Sequence, residues 1–225
     1  MSKTLVFKDY WSDLIQAWRS ELSDKSFRMK LIIMPGLFFA YSAITQHLGN
    51  YIQMRKGIRL TDTILNFLPT QDFSVYIFAL LYASLSLIVI THLNKPRVVL
   101  RLLEMHLIVA VVRQTCILLI ALEPPVGIIV LRDVFLENTV YPHTPLTKDL
   151  FFSGHIASIW IYFLCATKNY LKIYFAAATF LMGFMLLSMR VHYSYDVYGA
   201  IIFTTLIYLM PTKVRSYYVR LKQWP

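Results

Sequence analysis

A chain of 225 residues with 57% hydrophobic and only 15% charged residues sits well below the roughly 25% charge usual for soluble domains, and its mean hydropathy is +0.56. Long apolar runs recur along it, so the class is an integral membrane protein rather than a soluble one. A net charge of +10 would point to nucleic acid in a soluble domain. Between apolar runs, basic residues set topology and meet anionic headgroups, so nucleic acid is not a partner here.

Residues 1–29 are polar and mixed in charge, unlike the short basic segment and apolar core of a cleavable signal peptide, and none is expected. Within this tail Trp11, Leu14, Ile15, Trp18 and Leu22 fall on one helical face, which predicts a helix lying in the membrane interface or packed on the bundle. Six apolar segments follow, at about 31–49, 74–92, 98–122, 151–167, 173–190 and 192–210. At about 1.5 Å per residue each approaches the roughly 30 Å of a bilayer core. The expected architecture is all-α, a polytopic membrane protein with a six-transmembrane-helix bundle. It divides into a cytoplasmic tail at 1–30, the membrane domain at 31–211 and a basic cytoplasmic tail at 212–225.

Lysine and arginine counts orient the bundle. Of 22 such residues, 15 lie in the two tails and in the 93–101 and 167–172 connections, six lie in the opposite loops, and Arg113 lies inside a span. That asymmetry predicts cytoplasmic termini. The segments beginning at Phe151 and His192 then both start on the extracytoplasmic or lumenal side.

Those two starts hold the informative polar residues. Val197–Met210 has 14 residues, about 21 Å and too short to cross alone, so the sixth segment draws His192 and Asp196 into the membrane boundary. Ionisable groups there are costly and are paired or functional. Four residues apart, the two reach each other on a helix, and a carboxylate would fix the imidazole tautomer. His155 brings a second imidazole to the same depth. Ser153 and Gly154 precede it at a helix start, where free N–H groups favour an anion and a serine also serves as an N-cap. Arg113, Lys148 and Arg190 are the cations available to a phosphoryl group, and each has a structural alternative: Glu104 or Asp196 as a partner for Arg113, topology for the other two. Cys116 and Cys165 lie in apolar runs as small hydrophobes. His47, His92, His106 and His143 have no ligand spacing and are read as interfacial or loop residues. The 123–150 connection, with Glu123-Pro124-Pro125 and Tyr141-Pro142, is either a cap over the site or a plain connector.

Phe152-Ser153-Gly154-His155 and His192-Tyr193-Ser194-Tyr195-Asp196-Val197 resemble the two motifs of the sphingomyelin synthase family, within the type-2 phosphatidic acid phosphatase-like superfamily. Asp149 stands where that family has an aspartate four residues before the serine, and Arg113, Leu122 and Pro125 match its third span. Thr147-Lys148 replaces the family's Cys-Gly, and Ala110 an expected tyrosine. The lipid phosphatase branch would carry an Arg-Pro dipeptide and an arginine six residues before the second histidine. This chain has no Arg-Pro, and Leu186 occupies the second place, a pattern leaning toward the transferases.

The resemblance implies that His192, oriented by Asp196, attacks the phosphorus of a phospholipid donor and forms a phosphohistidine. His155 would protonate the leaving lipid oxygen and later deprotonate a lipid alcohol acceptor such as ceramide or diacylglycerol. The partners are therefore membrane lipids. No cofactor or metal is called for, although His192 and Asp196 could form half of a metal site. Two other readings stay open: a lipid phosphate phosphatase with the same His-His-Asp site, and a catalytically silent membrane scaffold.

Overall fold

A computed structural model describes residues 3–133 and 146–222, and all regular structure among them is helical. Seven α-helices appear in this order: α1 Lys3–Ser23, α2 Lys25–Met54, α3 Ser74–His92, α4 Pro96–Leu119, α5 Gly154–Cys165, α6 Asn169–Ser188 and α7 Ser194–Lys222. A 3-10 turn at Ile64–Phe67 lies between α2 and α3.

Four of these helices, α2, α3, α4 and α6, are long and apolar enough to cross a membrane. The expected fourth and sixth spans are shorter: α5 has 12 residues, and the apolar part of α7 is Ser194–Met210. The four long helices point to an integral membrane protein. Phe39, Met54, Phe67, Leu119, Ile173 and Phe180 face outward, the pattern of a bundle whose solvent is lipid rather than water.

Local chemistry accounts for most of the boundaries. The Asp24 side chain caps α2 by accepting from the Ser26 N–H at 2.9 Å, so α2 starts six residues before the expected span. Pro96 opens α4, where a missing N–H costs nothing. The guanidinium of Arg55 donates to the Leu118 carbonyl at 2.8 Å and also bonds Ile117, placing a cation on the C-terminal end of α4. After α6, Arg190 adopts φ 56° and the Val191 N–H reaches the Leu186 carbonyl at 3.2 Å, which terminates the helix in a left-handed turn.

Helix α5 is the hub. It packs on α3, α4, α6 and α7, and Ile156, Ile159 and Ile161 are wholly buried. A helix apolar all round and enclosed by neighbours needs no amphipathic face. His92, read from the sequence as interfacial, is instead fully buried at the end of α3. There its ring meets the Ile88 carbonyl and receives the Thr167 N–H at 3.2 Å, tying α3 to the end of α5. His106 likewise lies within α4, tilted against Tyr162, while His143 falls outside the described residues. The amphipathic stripe of α1 is divided: Trp18 and Leu22 pack on Phe27 and Leu100, whereas Trp11 and Ile15 are exposed.

At the end of the bundle where α2 and α4 terminate, two extended segments pair. Ile58 donates to the Ala121 carbonyl at 2.9 Å, and Glu123 donates to the Ile58 carbonyl at 3.0 Å. The Gly57 N–H donates to the Glu123 carboxylate at 2.9 Å. Any Cβ on Gly57 would lie 2.6 Å from the backbone carbon of Leu122. Gly57→Ala is therefore expected to destabilise the protein by about 1–3 kcal/mol through a forced backbone shift. Gly36 sits in open space in α2, and Gly36→Ala should leave stability unchanged or raise it by up to about 1 kcal/mol. Thermal unfolding of both variants in the same detergent checks the contrast.

Candidate active site

The two motifs touch through their backbones. The Ser153 N–H donates to the Asp196 carbonyl at 3.1 Å, joining the start of α5 to the first turn of α7. Gly199 allows the approach, because a Cβ there would lie 2.9 Å from the Phe151 ring.

Asp196 has 0% exposure. It is the third residue of α7, and one carboxylate oxygen accepts the Tyr193 N–H at 2.9 Å, the backward reach of a capping-box acid. The same oxygen meets His192 Nδ1 at 3.1 Å. A carboxylate can only accept, so Nδ1 carries the proton and Nε2 is left for chemistry. His192 precedes the helix instead of lying on it; the contact expected from helical spacing is made by the capping turn. The other oxygen of Asp196 and the Ser153 hydroxyl are buried without a partner among the described residues.

His155 stands in the first turn of α5, its ring centre 5.8 Å from that of Phe78 in a T-shaped arrangement. His155, His192 and Arg113 line one cavity of about 220 Å³, together with Asp149 and Asp133. Its apolar wall includes Ile128, Val130, Leu131 and Leu146, so both described arms of the 123–150 connection contribute. The middle of that connection, 134–145, lies outside the described residues. Among the described residues, no group of three or more His, Cys, Asp or Glu is arranged to hold a metal ion.

The Arg113 side chain reaches the start of α5 from α4. Its Nε donates to the Phe152 carbonyl at 2.6 Å, and Nη2 donates to the Asp149 carbonyl at 3.1 Å and to its carboxylate at 2.8 Å. The partner is thus Asp149, not Glu104 or Asp196. Glu104 lies nine residues back on the same helix and pairs with Lys30 at 2.8 Å. Gly154 fits beneath the guanidinium, where a Cβ would approach Nε to 3.3 Å. Burial pushes the Asp149 carboxyl up, but the Arg113 charge and hydrogen bond, with help from His192 and His155, hold it below its ordinary 3.8.

Lys148 and Arg190 face elsewhere. Lys148 bonds the Glu123 carboxylate at 2.7 Å and the Arg55 carbonyl at 2.8 Å, and its bond to Glu123, with the Gly57 N–H, lowers the Glu123 pKa. Arg190 donates to the Val126 carbonyl at 2.9 Å. Neither lines the cavity. Ser153 is the N-cap residue of α5, as its position implied, but its hydroxyl makes no capping bond.

Sequence reading missed Asp133, whose carboxylate takes a 2.5 Å hydrogen bond from Tyr82, with Tyr82 in turn stacked on Phe78. No short motif joins residues 78, 82 and 133, so only the fold reveals the group. Asp62 was also missed; it accepts the Ser194 N–H at 2.6 Å.

Residues 148–213 match a family model described as PAP2 superfamily C-terminal. The match supports the phosphatidic acid phosphatase-like superfamily and suggests a lipid enzyme of phosphatase or phosphotransferase type. It spans both histidines and Asp196, but neither Arg113 nor Asp62. No curated protein and no solved structure matches the chain.

Because the folded pKa of Asp149 is depressed, its pairing with Arg113 contributes stability that is fully present above pH 3.8 and lost as pH falls through the lower folded value. Asp149→Asn should remove that part of the acid dependence. Thermal unfolding measured above and below pH 3.8 for both proteins tests it; identical acid slopes would show that the pair contributes nothing.

Proposed function

We propose that this protein is a membrane lipid phosphotransferase that moves a phospho-headgroup from a phospholipid to a lipid alcohol, ceramide or diacylglycerol, through a phosphohistidine. One observation carries the reading: an imidazole held by a buried carboxylate opens on the same cavity as a second imidazole and an arginine.

In the first half-reaction His192 Nε2 attacks phosphorus and forms a P–N bond. The P–O bond to the donor lipid breaks, and protonated His155 gives its proton to the departing oxygen. In the second half-reaction neutral His155 takes the proton of the acceptor hydroxyl. That oxygen attacks phosphorus, the P–N bond breaks, and both imidazoles return to their starting states. Asp196 keeps Nδ1 protonated and stabilises the charge that develops on His192. Arg113 faces the phosphoryl oxygens, where negative charge spreads in the transition state. Lys148 and Arg190, considered as phosphate ligands from the sequence, take the supporting role of fixing the loops.

A transferase must keep water from the phosphohistidine. The apolar wall of Ile128, Val130, Leu131 and Leu146 supports that choice over hydrolysis, as does the absence of the phosphatase branch's arginines. All six apolar segments are taken to cross the bilayer, with both termini cytoplasmic and the site on the extracytoplasmic or lumenal side. The polar residues His192–Asp196 lengthen the sixth segment.

Purified protein given labelled phospholipid, with and without ceramide or diacylglycerol, should yield a new phospholipid only when acceptor is present. Release of free phosphorylated headgroup or inorganic phosphate without transfer would identify a phosphatase instead. His192→Ala should abolish the product, and Arg113→Ala should lower kcat by about 10²–10³. Arg190→Ala should stay near the wild-type rate. Full activity in His192→Ala would sink the mechanism under either reaction.

A further inference from the structure

His192 lies outside α7, in a turn that a single capping carboxylate would hold loosely, yet the next two residues are gripped by a part of the chain far away in sequence. Asp62 is 8% exposed. One of its carboxylate oxygens accepts the Ser194 N–H at 2.6 Å, and the other accepts the Ile64 N–H at 3.0 Å. Tyr193, 1% exposed, donates its hydroxyl proton to the Glu123 carbonyl at 2.9 Å and accepts the Leu60 N–H at 3.2 Å.

The segment that supplies Leu60 and Asp62 is itself anchored. Ile58 pairs with Ala121 and Glu123, and Lys148 fastens Glu123 to the end of α2 through the Arg55 carbonyl. The grip on Tyr193 and Ser194 therefore leads back to the ends of α2 and α4, not to a free loop. The Ser194–Asp62 bond is buried and the Tyr193 bonds are partly so, which limits competition from water, and a carboxylate at the N-terminal end of α7 is favoured by the helix dipole.

We propose that Asp62 is a positioning residue for the nucleophile: with the Tyr193 hydroxyl it clamps the His192–Asp196 turn, so that Nδ1 stays on the carboxylate and Nε2 keeps its place at the cavity. Asp62 acts through the Ser194 backbone and touches no substrate. The proposal rests on the reading of His192 as the nucleophile. A misplacement of about 1 Å at a reacting group can cost on the order of 10²-fold in rate, so a clamp of this kind governs kcat and leaves substrate affinity nearly untouched.

The test uses the full chain in detergent micelles, with Asp62→Ala, Asp62→Asn and Tyr193→Phe. Two quantities are measured: the steady-state constants for lipid transfer, and the nitrogen chemical shifts of labelled His192, assigned by comparison with His192→Ala. Asp62→Ala should lower kcat about 10²-fold with KM little changed, and His192 should lose its pure Nδ1-protonated signature. Asp62→Asn keeps an oxygen that can accept from Ser194, and should restore both in large part. Tyr193→Phe retains the ring and removes only the hydroxyl, so it reports on the clamp even where Asp62→Ala unfolds the turn; its kcat should fall about tenfold.

A wild type that transfers lipid, with kcat and the His192 signature unchanged in Asp62→Asn, Asp62→Ala and Tyr193→Phe, would overturn the clamp and leave the reaction standing. The reverse result, a lost His192 signature in Asp62→Ala on a wild type that moves no phosphoryl group, would uphold the clamp and overturn the reaction.

Discussion

The carboxylate of Asp196 has no surface, yet it holds the Tyr193 N–H and His192 Nδ1 on one oxygen. Its own carbonyl takes the Ser153 N–H. Start, turn and partner helix are thus tied to one residue. Burying a carboxylate is expensive unless several donors meet it, and here the donors are the elements that must be brought together. Helix α7 can begin only where this group can reach back to its cap, and α5 can begin only where its first N–H meets the Asp196 backbone. With those two starts fixed, His155 and His192 are carried to one cavity by helix geometry.

A second tier of contacts holds that arrangement from outside. Arg113 spans from α4 to the carbonyl of Phe152 and the carboxylate of Asp149, so the segment leading into α5 is fixed to a long helix. Lys148, Glu123, Gly57 and Arg55 form a chain of polar contacts across the same end of the bundle. Residues 148–213, which carry the family match, contain the histidines and Asp196, but not Arg113, Glu123, Arg55 or Asp62, which brace them from outside.

This division explains what could be read from sequence. The apolar segments and the nearness of His192, Asp196 and His155 at one end of the bundle are legible in local spacing and span length, although a capping turn and not helical spacing makes the His192–Asp196 contact. Partners remote in sequence do not. Arg113 was matched with Glu104 or Asp196 because each was a visible carboxylate, while Asp149 is the one the fold brings within 2.8 Å. Lys148 and Arg190 looked like phosphate ligands because their nearest neighbours in sequence are the motifs; the structure turns one toward Glu123 and the other toward Val126. Asp62 and Asp133 belong to no motif, and only long-range contacts with Ser194 and Tyr82 give them meaning.

The central helix α5 is the shortest of the seven α-helices described, with 12 residues, about 18 Å of rise against a hydrocarbon core of roughly 30 Å. It is enclosed by α3, α4, α6 and α7, and Ser153 at its start is 0% exposed, so lipid tails around this bundle would meet the longer neighbours and not α5 itself. A short helix is tolerated at the centre because it never has to match the thickness of the bilayer. His155 in its first turn faces the cavity and not the tails, so a phospholipid would have to bring its headgroup in between the helices to meet it.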